Sequence, residues 1–214
     1  MCNWNKPLPK NTKVNYYECY AKILLEEIYP NEFMELQIAD KPDLQSKDNI
    51  SGIEVTISEE EEQLKAESLY TDICYDRVRN VDGAIKEIKK CGCKLEKGIL
   101  IGKPGKDSFD LILKSFSIKL NKLNGNEYKN FKKNCLFIFS DILPTKEMIN
   151  DAIKEMIEKQ LNKKRKFYKV YILIPGGLYS FNLDKDNYEL VEINSSLQSL
   201  QACKARELVE KYQK

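Results

Sequence analysis

Two runs without apolar–polar alternation, "CLFIFS" at residues 135–140 and "KVYILI" at residues 169–174, constrain this chain more than any other feature. A strand with one wet face alternates apolar and polar side chains. A run without alternation belongs in the middle of a sheet covered on both faces. Between the two lies "TKEMINDAIKEMIEKQL", an amphipathic helix by its spacing. After the second run, "PGG" turns into "LYSFNL", and the turn "DKDN" leads to "YELVEI", a hairpin pattern. Buried strands separated by helices, with hairpins added, predict an α/β fold on a mixed sheet. The 214 residues suffice to bury a substantial core, and neither an internal repeat nor a low-complexity linker interrupts them. One domain over residues 1–214 is expected, with a core at about residues 14–140 and a C-terminal elaboration at about residues 141–214 that ends in a hairpin and a closing helix.

The N-terminal half reads in the same way. Residues 14–29 place Tyr17, Tyr20, Ala21, Leu24 and Ile28 at helical spacing, and Pro30 stops the helix. "FMELQIA", residues 33–39, alternates as a half-buried strand does. "GIEVTIS", residues 52–58, is a second strand with Ile53, Val55 and Ile57 on one face and Glu54 and Thr56 on the other. Asp43 lies between them on a short extended segment, and "SKDN" is a turn. Ser58 with Glu61 matches a capping box, so a helix is expected from Ser58 towards Asn80, its acidic start favoured by the helix dipole. Further helices are expected over residues 81–90, broken at "CGC", and residues 108–123, with "GILIG" a short strand or apolar turn between them.

Composition removes several chemistries. The chain has no histidine, so the commonest general base and metal ligand are both missing, and a metal must be held by carboxylates or thiolates. Without a histidine to activate serine or cysteine, covalent catalysis is set aside. Seven scattered cysteines suggest reduced thiols, and Cys91-Gly-Cys93 lacks a second pair at zinc spacing. No apolar signal core opens the chain and no run approaches the length of a membrane span, which points to a soluble, cytoplasmic protein. A net charge of +2 neither requires nor excludes nucleic acid.

The carboxylates give the chain its chemistry. Glu54 and Thr56 share the strand face opposite the apolar one, and Asp43 at the edge of the neighbouring segment can approach Glu54. Two hard anionic oxygens, helped by the main-chain carbonyl of Val55, suit Mg²⁺ or Mn²⁺ with several waters retained. Such an ion generates a hydroxide nucleophile and stabilises charge on a phosphodiester. Pro42-Asp43, a turn, then Gly52-Ile53-Glu54-Val55 within a strand, between two amphipathic helices, resembles the Pro-Asp…(Asp/Glu)-x-Lys superfamily of restriction-endonuclease-like phosphodiesterases. It is similar in particular to prokaryotic members whose strand reads Ile-Glu-Val-Thr. The resemblance covers roughly the first 140 residues. It implies an αβββαβ core, divalent-metal-dependent cleavage of DNA, and Asp43 and Glu54 as metal ligands.

Thr56 stands where the family pattern has lysine. A hydroxyl can bond a water or a phosphate oxygen but supplies no positive charge. Some relatives carry that lysine on another element, and two candidates exist here. Lys119, at the edge of the apolar face of its helix, can lift its ammonium into a cleft and ranks above Lys65, which has Glu61 as an i−4 partner. Relatives also imply Glu18 on the first helix as a metal or water ligand. Gln45, two residues past Asp43, either bonds a phosphate oxygen or completes the turn.

The stretch with Lys119, Lys122, Lys129, Lys132 and Lys133, interleaved with Tyr128 and Phe131, is the expected nucleic-acid face, since lysines track phosphates and aromatics stack on bases. "NKKRK", residues 162–166, reads as a solvated helix terminus, and "GKPGKDS" lacks the spacing of a phosphate loop. Three readings follow: a nuclease, with nucleic acid (DNA favoured), no membrane and room for a homodimer; a nuclease-fold binding module that has lost catalysis with its lysine; and an unrelated α/β protein in which Asp43 and Glu54 lie far apart.

Overall fold

The computed structural model describes residue 8, residues 12–102 and residues 108–212, and nine strands and six helices form among them. The first half contains α1 (Tyr16–Ile28), β1 (Gln37–Ile38), β2 (Leu44–Gln45), β3 (Ser51–Ile57), α2 (Glu61–Cys74), α3 (Val81–Lys90), β4 (Lys94–Glu96) and β5 (Ile99–Ile101). The second half contains α4 (Asp110–Leu123), β6 (Lys133–Phe139), α5 (Lys146–Gln160), β7 (Lys169–Ile174), β8 (Gly177–Asn182), β9 (Asn187–Glu192) and α6 (Ser195–Lys211). These elements fall into two compact units, one running to Ser58 and resuming after the 59–106 segment, the other formed by that segment.

The larger unit is built on a mixed seven-stranded sheet in the order β1-β2-β3-β6-β7-β8-β9. β3, β6 and β7 run parallel in the middle of the sheet, where the two alternation-free runs belong, while β1-β2-β3 and β7-β8-β9 are antiparallel meanders. Pleating divides the sheet side chains between two cores. Ile53, Val55, Phe137, Tyr171 and Leu173 pack with Ala21, Leu24 and Leu25 of α1. Leu136, Ile138, Val170, Ile172 and Phe181 pack with α4 and α5 through Ile112, Phe116, Ile149 and Met156. α6 lies on α1 through Ala205, Val209 and Cys19. Asn15 and Glu18 form a capping box at the start of α1, and Thr145 caps α5 by accepting from the Met148 N–H.

The smaller unit packs α2 and α3 against the β4-β5 hairpin around Ala66, Ile88, Cys91 and Cys93. Lys97 and Gly98, both at positive φ, make the two-residue turn that a right-twisted hairpin needs. Cys91 and Cys93 are therefore core residues, and Cys93 Sγ donates to Gln63 Oε1 at 3.3 Å.

Two local expectations are corrected. Ser58 does not cap α2: its N–H donates to Phe139 O at 2.8 Å, which makes it the buried end of the β3–β6 ladder. The helix begins three residues later, with Glu60 at the cap position and no capping hydrogen bond from its side chain, and it ends at Cys74 rather than near Asn80. The strand expected over residues 33–39 shrinks to Gln37–Ile38, because Glu35 at φ +55° turns the backbone out of the extended region. Phe33 and Leu36 serve instead as buried plugs, and Glu26 Oε1 accepts the Leu36 N–H at 2.7 Å. The "GKPGKDS" loop falls largely on residues 103–107, outside the described residues. No helix among the described residues is long and apolar enough to cross a membrane.

Candidate active site

β3 is seven residues long, but its register with β2 covers only Gly52 and Ile53. From Glu54 onward the strand is paired to β6 on one side while the β1-β2 ribbon leaves the other. That fork exposes main-chain groups in the middle of a sheet, and such groups require partners. Asp43, the residue before β2, supplies one: its Oδ2 accepts the Val55 N–H at 2.7 Å. Lys119 of α4 supplies another, donating to Val55 O at 3.2 Å.

Glu54 points to the α4 side of the sheet and is 1% exposed. Its Oε1 accepts from Lys119 Nζ at 2.6 Å and from Lys122 Nζ at 2.8 Å. The two lysines lie three residues apart on α4, so they share one helix face and converge on one oxygen. Lys119 is 17% exposed and Lys122 46%, which leaves the cluster open to solvent on the lysine side. The other carboxylate oxygen, Glu54 Oε2, is buried and has no hydrogen-bond partner among the described residues. A buried anionic oxygen left without a donor is costly unless a cation or water completes it.

The neighbouring acids show their mutual repulsion. Burial first, then the charge of Glu54, pushes the Asp43 carboxyl above its ordinary value, against the Val55 N–H and the lysine charges. Glu18 on α1 is raised likewise by burial and then by Asp43, with Glu54 adding to the effect. Its Oε2 meanwhile accepts the Asn15 N–H at 3.4 Å in the capping box. Burial works to lower the Lys122 ammonium, but its hydrogen bond to Glu54 and the charges of Glu54 and Asp43 raise it on balance. A site that holds three acids near one another against two ammoniums is one where cation binding relieves repulsion.

Among the described residues no group of three His, Cys, Asp or Glu side chains is arranged to hold a metal. The oxygens open to a cation are thus fewer: Asp43, the orphaned Glu54 oxygen and the Val55 carbonyl. An ion held by so few protein donors would have to keep several of its waters, as Mg²⁺ does.

The remaining expected residues separate clearly. Thr56 follows Glu54 by one pleat repeat on the same face and is half-buried. Lys65 belongs to the smaller unit, where it pairs with Glu87 at 3.1 Å rather than with Glu61. Gln45 is turned back on its own loop: Nε2 donates to Pro42 O at 3.3 Å, and Oε1 accepts from Lys129 at 3.2 Å. Lys129 also donates to Asn49 Oδ1 at 2.7 Å and sits 4.9 Å from the Phe131 ring. Lys132 is exposed, and Lys133 lies 5.3 Å from the Tyr168 ring.

Two contributors were missed by sequence reasoning. Lys122, expected to face nucleic acid, bonds the same carboxylate as Lys119; its i+3 spacing from Lys119 was the available signal. Gly52 is the other. A Cβ there would meet Phe131 at 2.6 Å and Pro42 at 2.8 Å, so the glycine lets both rings lie on the strand and set the Asp43 loop against it. Compared with known proteins, the chain matches no protein-family model, no curated protein and no solved structure.

Proposed function

We propose that this chain is a divalent-metal-dependent phosphodiesterase of the restriction-endonuclease-like class that acts on nucleic acid, DNA in preference to RNA. The observation that carries this reading is the convergence of Asp43 and Lys119 on the Val55 N–H and carbonyl at the β2/β3 fork, with Lys119 also bonded to Glu54 Oε1. The order of elements in the larger unit adds support: α1, β1, β2, β3, α4 and β6 run as αβββαβ, with β3 parallel to β6.

Asp43, Glu54 Oε2 and the Val55 carbonyl would hold Mg²⁺ or Mn²⁺. When bound, such an ion supplies a hydroxide at neutral pH and neutralises charge on the phosphoryl oxygens. Lys119 replaces the lysine that Thr56 lacks, approaching from α4 instead of from the strand. Its ammonium, on a flexible stem, binds a phosphate oxygen or orients the attacking water, and Lys122 counters the remaining negative charge. The Thr56 hydroxyl, on the same face, donates to a water or to a phosphate oxygen. Glu18 adds a water ligand from α1.

A second reading, a nuclease-fold module that binds without cutting, draws on one observation: Glu54 Oε1 is already neutralised by two ammoniums. Cleavage of labelled duplex and single-stranded DNA with Mg²⁺, with Mn²⁺ and with chelator separates the two. The nuclease reading expects metal-dependent cleavage by the wild type, reduced roughly a hundredfold or more in Asp43→Asn, Glu54→Gln and Lys119→Met at unchanged fold. Binding without cleavage by the wild type, or cleavage that survives Glu54→Gln, overturns it.

A further inference from the structure

A feature of the larger unit left out of that chemistry is the basic turn after α5. From residue 159 to residue 183 the sequence carries Lys159, Lys163, Lys164, Arg165, Lys166 and Lys169 and no acid. Residues 128–140 are equally free of acids and include Lys129, Lys132 and Lys133. In a chain of net charge +2, these are local concentrations of one sign.

The fold joins the two segments at the end of α4. Arg165 Nη1 donates to Leu123 O at 3.2 Å and to Tyr128 O at 2.9 Å, so one guanidinium ties the last turn of α4 to the loop that follows it. Asn124 completes the joint, accepting the Arg165 N–H at 2.9 Å and donating to Arg165 O at 2.9 Å. Lys163 Nζ donates to Asn121 Oδ1 at 3.0 Å. The Tyr128 ring lies 5.8 Å from Lys122 Nζ, which reaches Glu54. Helix-terminus electrostatics account for Arg165, whose charge sits on orphan carbonyls. They do not account for Lys164 and Lys166, which are exposed and have no ion-pair partner among the described residues. Asn121 precedes Lys122 on α4, so the Lys163 bond joins the turn to the stretch of helix that carries the lysine on Glu54.

We infer that the turn at residues 163–166, fastened by Arg165 to the end of α4, is a docking surface for the phosphate backbone of the nucleic acid presented to Glu54. The inference rests on the phosphodiesterase reading for the identity of the polymer and adds to it where the strand lies. Lys164 and Lys166 contact successive phosphates, Lys163 is steadied by Asn121, and Arg165 is a positioning residue.

The test is equilibrium binding of a labelled DNA duplex to the chain in chelator across a series of salt concentrations. It compares the wild type, Lys164→Ala/Lys166→Ala, and a control of equal charge loss, Lys154→Ala/Lys185→Ala. Two lost phosphate contacts reduce the slope of log K against log salt by about 2 and weaken binding roughly tenfold at moderate salt, with the control unaffected. Equal behaviour of the two double variants, or no binding by the wild type, overturns the inference. Because cleavage is not measured, the outcomes stay separable: binding that depends on Lys164 and Lys166 stands if the wild type never cuts. Binding that ignores both lysines, in a chain that cuts when metal is supplied, leaves the nuclease and removes the track.

Discussion

Asp43 is the residue at which stability and chemistry oppose each other. Its carboxyl is raised above the ordinary value of 3.8 by burial and then by Glu54, so the folded chain holds that proton to higher pH than the unfolded chain does. Between the two values the folded state binds more protons, and stability falls as pH rises. At neutral pH the ionised side chain is a net cost to the metal-free fold, relieved by acid or by a cation. Asp43→Asn keeps an oxygen for the Val55 N–H and removes the charge. It is expected to be more stable than the wild type at pH 7 in chelator, by ~0.5–2 kcal/mol, as substitutions that relieve a functional site commonly are. The gain should vanish as pH falls below the ordinary Asp range, since both forms are then uncharged. Thermal unfolding between pH 3 and 8 measures this, and added Mn²⁺ should raise the wild-type Tm but not that of the variant.

At the scale of elements, the site depends on β2 leaving β3 after a single short pairing. Gly52 permits that geometry by letting Phe131 and Pro42 lie against the strand where any side chain would collide. Gly52→Ala forces one ring away, and overpacking of this kind costs ~1–3 kcal/mol. Pro42 precedes Asp43 directly, so the displacement reaches the carboxylate that holds Val55. Metal-dependent cleavage measured far below the Tm should therefore fall more steeply than the loss in urea stability accounts for. Cleavage that merely follows the folded fraction would remove Gly52 from the architecture of the site. The same scale explains Lys119 and Lys122. α4 covers the sheet with Ile112, Phe116 and Leu120, and the lysines at its border meet the strand where apolar packing ends.

For the molecule as a whole, the thiols report on packing. Cys19, Cys91, Cys93 and Cys135 are buried, and burial pushes the Cys19 and Cys135 thiols up to about 12. Of the six described cysteines, only Cys74, which is exposed, and Cys203, which is half-buried, should react with a thiol reagent in the native protein. All six should react once it is unfolded, and fast native labelling of Cys135 would mean that the sheet opens. Much of this architecture was legible beforehand. The alternation-free runs at β6 and β7 implied central strands covered on both faces, and the helical spacing of α1, α4 and α5 implied the layers that cover them. The Ile53/Val55 against Glu54/Thr56 division followed from the pleat alone. Illegible were the Ser58 ladder end and the ring-on-glycine contact at Gly52, because each arises between residues distant in the chain, and the turn at Glu35, which the alternation of residues 33–39 masked. By itself the sequence determined periodicities, and hence which face of each element is apolar, since that depends only on neighbours three, four or two residues apart. Which carboxylate oxygen receives two ammoniums and which receives none was decided by tertiary structure alone. That outcome depends on where α4 crosses β3, and no local pattern encodes a crossing point.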